Sequence, residues 1–226
     1  MTLFDSSAAT YDDWCKTEIG SFVDQLEKDI MESLALPKEG EKALDLGTGT
    51  GIYASLLQEK GVDVIGVDVS QKMLEKAIEK NPTLTFMTSD IHQLPFEDET
   101  FDLVVCNIVL EFVTHPEKVV EEVFRVLKKN GRFVCGFIGK ESSWGEQYIK
   151  RGKEKKESVF ASATFFTPEK AKELTNIPPE VIAYGLYVAP TEFQGKEQAM
   201  QMEKERAEAW KGKQAGYFAV RWKKSE

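Results

Sequence analysis

Residues 43–51 read Ala43-Leu44-Asp45-Leu46-Gly47-Thr48-Gly49-Thr50-Gly51, and the next apolar run closes on Val67-Asp68. An apolar stretch with one carboxylate inside it, followed by glycines at alternate positions, is a strand that turns sharply into a helix. Gly47, Gly49 and Gly51 carry no Cβ, so the backbone can turn tightly there and come close to a ligand. Asp68 follows Gly49 by 19 residues. That spacing sets a carboxylate at the tip of a second strand, within reach of a ribose.

Outward from this pair the chain alternates strands and helices. Ile19, Phe22, Val23, Leu26, Ile30 and Leu34 recur at helical spacing over 17–36, and Pro37 and Gly40 end that helix. Strands are expected at 43–46, 63–67, 84–87, 101–106 and 132–138. Helices are expected at 51–60, at 71–80 behind Ser70 as N-cap, and at 117–128 opened by Pro116. Asn130-Gly131 is expected to turn the chain into the fifth strand. This alternation argues for a parallel sheet covered on both faces. Beyond residue 140 helices are expected at 142–156, from Thr167-Pro168-Glu169, and at 197–211. Strands at 181–188 and 216–223 read as an antiparallel pair on the sheet edge.

The chain has 226 residues, enough for one α/β domain with its own core, and its apolar content of 42% suits a folded protein. No apolar stretch approaches the roughly 18 residues of a membrane span. The N-terminus has neither a basic nor an apolar leader region, so a cytoplasmic location is the default expectation. Three cysteines (Cys15, Cys106, Cys135) and two histidines (His92, His115) make no disulfide framework and no metal-ligand spacing. The net charge of −9 divides unevenly: residues 1–113 carry 8 Lys against 22 Asp and Glu, and residues 114–226 carry 21 Lys and Arg against 16 acids. An acidic chain is a poor generic binder of nucleic acid. The basic run 150–156 reads as a solvated helix face, or less simply as a site for an anionic substrate.

The glycine loop suits either a nicotinamide dinucleotide or another adenosine ligand. The dinucleotide pattern is G-x-G-x-x-G, but here Ile52 stands where its third glycine belongs. Asp45, two residues before Gly47, would repel a pyrophosphate and suit a cationic ligand with an amino-acid tail. Its other reading is an anchor that accepts N–H groups of the loop.

At this point the chain resembles the class I S-adenosylmethionine-dependent methyltransferases. Residues 44–51 are similar to their first motif. Val67-Asp68-Val69-Ser70 with Met73 is similar to the second, where the acid holds the ribose hydroxyls. Ser89-Asp90-Ile91 with Leu94-Pro95-Phe96 is similar to the adenine motif. Phe101–Asn107 looks like the fourth strand, whose end faces the methionine portion, and Arg125–Arg132 like the helix and turn before strand five. Phe4–Trp14 is similar to the N-terminal segment of the quinone- and biotin-pathway branch, in which Tyr11 would reach the methionine end and Trp14 would help close the pocket. Asn107-Ile108-Val109-Leu110 lacks the prolines of nucleic-acid amino-methylating enzymes, and none of the cysteines follows a proline. The resemblance implies a single domain: a helical cap at 1–40, a cofactor-binding core at 41–139, and a substrate or lid region with the last two strands at 140–226. It implies a doubly wound, mostly parallel seven-stranded sheet of order 3-2-1-4-5-7-6, the last strand antiparallel. It implies S-adenosylmethionine held by Tyr11, Trp14, Asp45, Gly47, Thr48, Gly49, Asp68, Val69, Met73, Asp90, Ile91, Asn107 and Ile108. The acceptor is expected to be a small molecule, with no nucleic acid or membrane partner.

The competing functions are an NAD(P)-dependent oxidoreductase and a non-catalytic cofactor-binding protein or partner subunit. Glu111 reads as facing the pocket or as capping a helix. His92 and His115 read as turn or surface residues. Phe165, Phe166, Trp144 and Tyr148 read as core or as pocket lining. The acceptor pocket is expected from 4–20, 107–115, 140–166 and 186–213, with 189–213 as a lid or a plain surface helix. No residue stands out as a general base, so the acceptor atom stays open.

Overall fold

The computed structural model describes Phe4 and residues 11–225, with only the backbone at Tyr11. Seven strands form one sheet: β1 (Lys42–Leu46), β2 (Asp63–Asp68), β3 (Thr85–Thr88), β4 (Phe101–Asn107), β5 (Leu127–Ile138), β6 (Val181–Gly185) and β7 (Tyr217–Lys223). Their order is β3-β2-β1-β4-β5-β7-β6, as the sequence reading has it. Neighbours from β3 to β5 pair in parallel, and β7 runs antiparallel to both β5 and β6. The helices are α1 (Tyr11–Lys16), α2 (Glu18–Ala35), α3 (Ile52–Glu59), α4 (Gln71–Lys80), α5 (Pro116–Val126), α6 (Ser143–Glu154), α7 (Pro168–Lys172) and α8 (Lys196–Trp210). Among the described residues no helix is long and apolar enough to cross a membrane.

Side-chain caps set several helix starts. Thr17, Ser70, Ser142 and Thr167 each accept a backbone N–H from the first turn of the helix that follows. The central strands alternate between two cores. Leu44, Leu46, Val104 and Cys106 face the side packed by α5. Ala43, Leu103 and Val105 face the side packed by α2 and α3. This alternation decides which polar side chains reach which helix.

Two strand boundaries and one short helix differ from expectation. β5 begins at Leu127, because the chain keeps pairing with β4 through a register shift while Asn130 takes φ 63°. β6 ends at Gly185, because Leu186 turns to φ 62° and leaves the ladder. The short helix α1 is an element that periodicity did not reveal. The basic run covers the end of α6 and the turn after it, and its Lys150, Arg151 and Lys153 are exposed, in keeping with a solvated face.

Candidate active site

The first four strands end together, and above their C-terminal ends lies a cavity of about 570 Å³. Open parallel sheets bind ligands at this position. The turn after β1 forms one wall. Gly47 and Thr48 both donate their N–H groups to the Val67 carbonyl, at 2.8 and 2.9 Å. Gly47 has φ 72°, and a Cβ there would overlap Val109 Cγ2 from the turn after β4. The loop is therefore clamped between the tips of β2 and β4.

Asp45 shares a strand face with Ala43 and so points at α3. Its Oδ2 accepts from Thr48 Oγ1 at 2.6 Å and from the Ala54 N–H at 3.0 Å. Burial pushes its carboxyl up to about 6; those two hydrogen bonds oppose the shift and nearby Asp68 adds to it. Asp45 is buried and lies outside the cavity wall, so it acts on a ligand through the loop it holds. Of its two sequence readings, the anchor is the one the geometry supports.

Asp68 does line the cavity. Its Oδ2 accepts the Gly49 N–H at 2.9 Å and its Oδ1 the Ser70 N–H at 2.8 Å, which fixes the carboxylate at the tip of β2. Val69 just after β2 and Met73 on α4 continue the wall, as do Ser89, Asp90 and Ile91 from the turn after β3. Asp90 is held below the usual carboxylate range by His92, which donates its backbone N–H at 2.9 Å and pairs through Nδ1 at 2.8 Å. For His92 itself burial works against the charged form, yet its bonds to the Thr114 carbonyl and to Asp90 prevail and raise it. The imidazole thus links the turns after β3 and β4.

The far wall comes from β4 and from α2. Asn107 is on the face of Leu103 and Val105, the face α2 covers, and its side chain is fully engaged. Nδ2 donates to Tyr53 OH at 2.9 Å and to Glu27 Oε2 at 3.2 Å, while Oδ1 accepts from Tyr217 OH at 2.6 Å. Gly136 on β5 makes room for this network, since a Cβ there would overlap both Tyr217 OH and Asn107 Oδ1. Ile108, also in the wall, adopts φ 54°, a strained conformation for a β-branched residue.

A family model for a methyltransferase domain matches residues 44–135. An uncharacterised protein of Methanocaldococcus jannaschii is 33% identical over 77% of this chain and 78% of its own length. A demethylmenaquinone methyltransferase of Clavibacter sepedonicus is 34% identical over 60% of this chain, spanning just over half (56%) of its own length. A Thermotoga maritima structure described as a S-adenosylmethionine-dependent methyltransferase, possibly a histamine N-methyltransferase, shares the fold, with a TM-score of 0.77 and 23% identity over 99% of each chain. The chain belongs to the class I S-adenosylmethionine-dependent methyltransferases.

The cavity of this methyltransferase brings together Gly47, Thr48, Gly49, Asp68, Val69, Met73, Asp90, Ile91, Asn107 and Ile108. Trp14 is outside its wall, 37% exposed on α1. The side chain of Tyr11 and residues 5–10 lie outside the described residues. Among the described residues the wall takes nothing from 140–226. Instead α8 packs on α2 and β6, with Ala199, Met200 and Met202 in the core beside α2. Glu111 neither lines the cavity nor caps a helix. It is buried, and its Oε1 accepts the Ile138 N–H at 2.8 Å.

Sequence reasoning missed Asp24, Glu27, Tyr53 and His92 in the wall. A signal for Glu27 existed: it follows Val23 by four residues and precedes Leu34 by seven, so it falls on the apolar stripe of α2, where a carboxylate needs a reason.

The donor set fits the family's cofactor. Asp24, Glu27, Asp68 and Asp90 all stand in the wall with one imidazole, and no lysine or arginine lines it among the described residues. The wall is acidic even with Glu27 drawn toward its neutral form, and it favours a ligand that carries positive charge.

Proposed function

We propose that this protein methylates a small molecule, with S-adenosylmethionine as donor. The observation that carries the reading is the acidic wall of the cavity. A sulfonium nucleoside with an ammonium tail is attracted there, and a dinucleotide pyrophosphate is repelled. The same charge weighs against an NAD(P)-dependent oxidoreductase and against a polyanionic nucleic acid acceptor. The demethylmenaquinone methyltransferase among its relatives acts on a small molecule by its name, which supports the same class here.

When bound, the donor supplies a methyl group already activated by positive sulfur. The chain's task is to bind, align and exclude water. In this reading Asp68 takes the ribose hydroxyls, Val69, Met73 and Ile91 pack the purine, and Asp90 accepts from its exocyclic amine. The Gly47–Gly49 turn cradles the link to sulfur, and Asn107 and Ile108 flank the methyl group. Asp45 keeps the turn in shape.

Calorimetric titration with S-adenosylhomocysteine, and separately with NADH, tests the donor. Absence of homocysteine-nucleoside binding at millimolar concentration would refute it. Transfer of a labelled methyl group to thiol, amine, phenol or carboxylate acceptors then separates an enzyme from a cofactor-binding protein without turnover.

A further inference from the structure

The four acids of the cavity stand in two groups. Asp68 ends β2 and Asp90 follows β3, whereas Asp24 and Glu27 come from α2, where Glu27 meets the tip of β4. Strand β1 and its glycine turn lie between them. A nucleoside seated on Asp68 accounts for the first group and leaves the second to the other end of the cavity. The second group is built. Glu27 is held on Asn107, which Tyr53 and Tyr217 fix in turn. Asp24 lies one turn earlier on the same helix and is already paired with Lys28 Nζ at 2.6 Å. The same cavity also holds apolar rings: Phe4 and Phe112 line it, packed edge to face at 4.9 Å.

Resting on the methyl-transfer reading of this cavity, we infer that the acceptor is a small organic amine, drawn in as its ammonium ion by Asp24 and Glu27, and that Glu27 takes the proton which must leave nitrogen before transfer. An anionic acceptor, whether carboxylate, phenolate or thiolate, finds no lysine or arginine in the described wall and meets like charge at this end once Glu27 ionises. An ammonium with an apolar body gains from both the acids and the ring faces. The steps balance. One N–H proton passes to a Glu27 oxygen, leaving a neutral carboxylic acid and a free amine. The nitrogen lone pair forms the N–C bond while the C–S bond breaks and its electron pair stays on sulfur. The methylated product leaves as an ammonium ion, and Glu27 returns its proton to water.

Burial pushes Glu27 up to about 8; the Asn107 hydrogen bond opposes this, Asp24 and Glu111 add to it, and Lys28 draws it down. Cys15 on α1, Tyr148 on α6 and Tyr217 on β7 also face it. A base that titrates near neutrality is matched to this proton transfer.

The test pairs Glu27→Gln and Asp24→Asn with the wild type. Each protein is titrated with S-adenosylhomocysteine, then assayed with arylalkylamines such as phenethylamine and tryptamine, and with phenol, thiol and carboxylate counterparts. Amines are expected to be methylated and the others not. Glu27→Gln is expected to bind the nucleoside within threefold of wild type and to lose about 100-fold in kcat/KM. The wild-type pH profile should level off above about 8, whereas that of the variant keeps rising toward the amine's own pKa. Asp24→Asn should raise KM about tenfold with kcat little changed. Methylation of a phenol or carboxylate instead of amines overturns the proposal and leaves the methyltransferase reading standing. So does a loss of nucleoside affinity in folded Glu27→Gln, which would assign Glu27 to the donor's own ammonium. If no amine is methylated and none binds the nucleoside-loaded protein at millimolar concentration, the proposal also falls. Failure of the nucleoside itself to bind wild type would instead refute the function on which it rests.

Discussion

Replacing Asp68 by asparagine tests the geometry at the tip of β2, because the substitution keeps shape and changes only hydrogen-bond character. Both carboxylate oxygens already accept backbone N–H groups, from Gly49 at 2.9 Å and from Ser70 at 2.8 Å. An amide has one acceptor oxygen, so either orientation sets an NH₂ against an N–H donor. One charge-assisted bond is lost and a donor–donor contact is created, which costs about 1–3 kcal/mol. A ribose hydroxyl held by the same group loses its partner as well. The expected loss in affinity for S-adenosylhomocysteine is then roughly 5- to 150-fold. Asp68→Ala should be no worse than the isosteric change, since it leaves both N–H groups open to water in the cavity. Isothermal titration with the nucleoside gives the affinities, and thermal unfolding without ligand gives the loop's share. A folded Asp68→Asn protein that binds within threefold of wild type would refute the assignment of this carboxylate to the ligand.

Two further substitutions probe the neighbouring structure. Glu111 is buried with Oε2 lacking a hydrogen-bond partner, and burial pushes it up to about 8 while the Ile138 N–H opposes the shift. The folded protein therefore holds a proton that the unfolded chain releases near its ordinary value, so wild-type stability falls as pH rises from about 4.5 to about 8. Glu111→Gln removes that titration. Urea unfolding should find the variant gaining on wild type by the order of a few kcal/mol between pH 5 and pH 8.5, and a pH-independent difference would mean that Glu111 is ionised in the fold. Gly47→Ala adds a Cβ at φ 72° that overlaps Val109. It should destabilise by about 2–4 kcal/mol and weaken nucleoside binding, and unchanged unfolding would show that the turn has a relaxed alternative.

The sheet was legible because its signals are local. The strand-and-turn residues from Ala43 to Gly51 and the periodic core of α5 state their own structure, and alternation of the two implies parallel order. Ser70 was legible as a cap for the same reason. Boundaries failed where a long-range partner overrides a local stop signal. Asn130-Gly131 looks like a turn, but pairing to β4 carries the strand through it. The run from 181 to 188 looks like one strand, but Leu186 turns away and Glu203 on α8 takes the N–H groups of Tyr187 and Val188. Whether 189–213 is a lid or a plain surface helix depended on where α8 docks, and the weakly patterned helix carries no stripe from which its docking on α2 can be read.

The two acids that open the sequence reading show the same divide between local and tertiary information. Asp45 and Asp68 both sit beside the glycine turn, and charge alone gives each a claim on a cationic ligand. Strand geometry separates them. Asp45 lies inside β1, two residues before the turn and in register with Gly66 of β2, so its side chain must follow the pleat onto the α3 face. There it meets the Ala54 N–H and is consumed by the loop. Asp68 is the last residue of β2, past the final β1–β2 pair at Leu46 and Val67, so no strand on that side confines it. Its neighbours are the backbone N–H groups of two turns, and its carboxylate reaches the cavity while still accepting from both. Glu27 is the converse case: a helix places it on an apolar stripe, and only the arrival of Asn107 from β4 turns that half-buried carboxylate from a liability into a wall of the site. A strand-end acid is therefore readable as a ligand contact from sequence, whereas an acid within a helix's apolar stripe becomes readable only when the element opposite it is known.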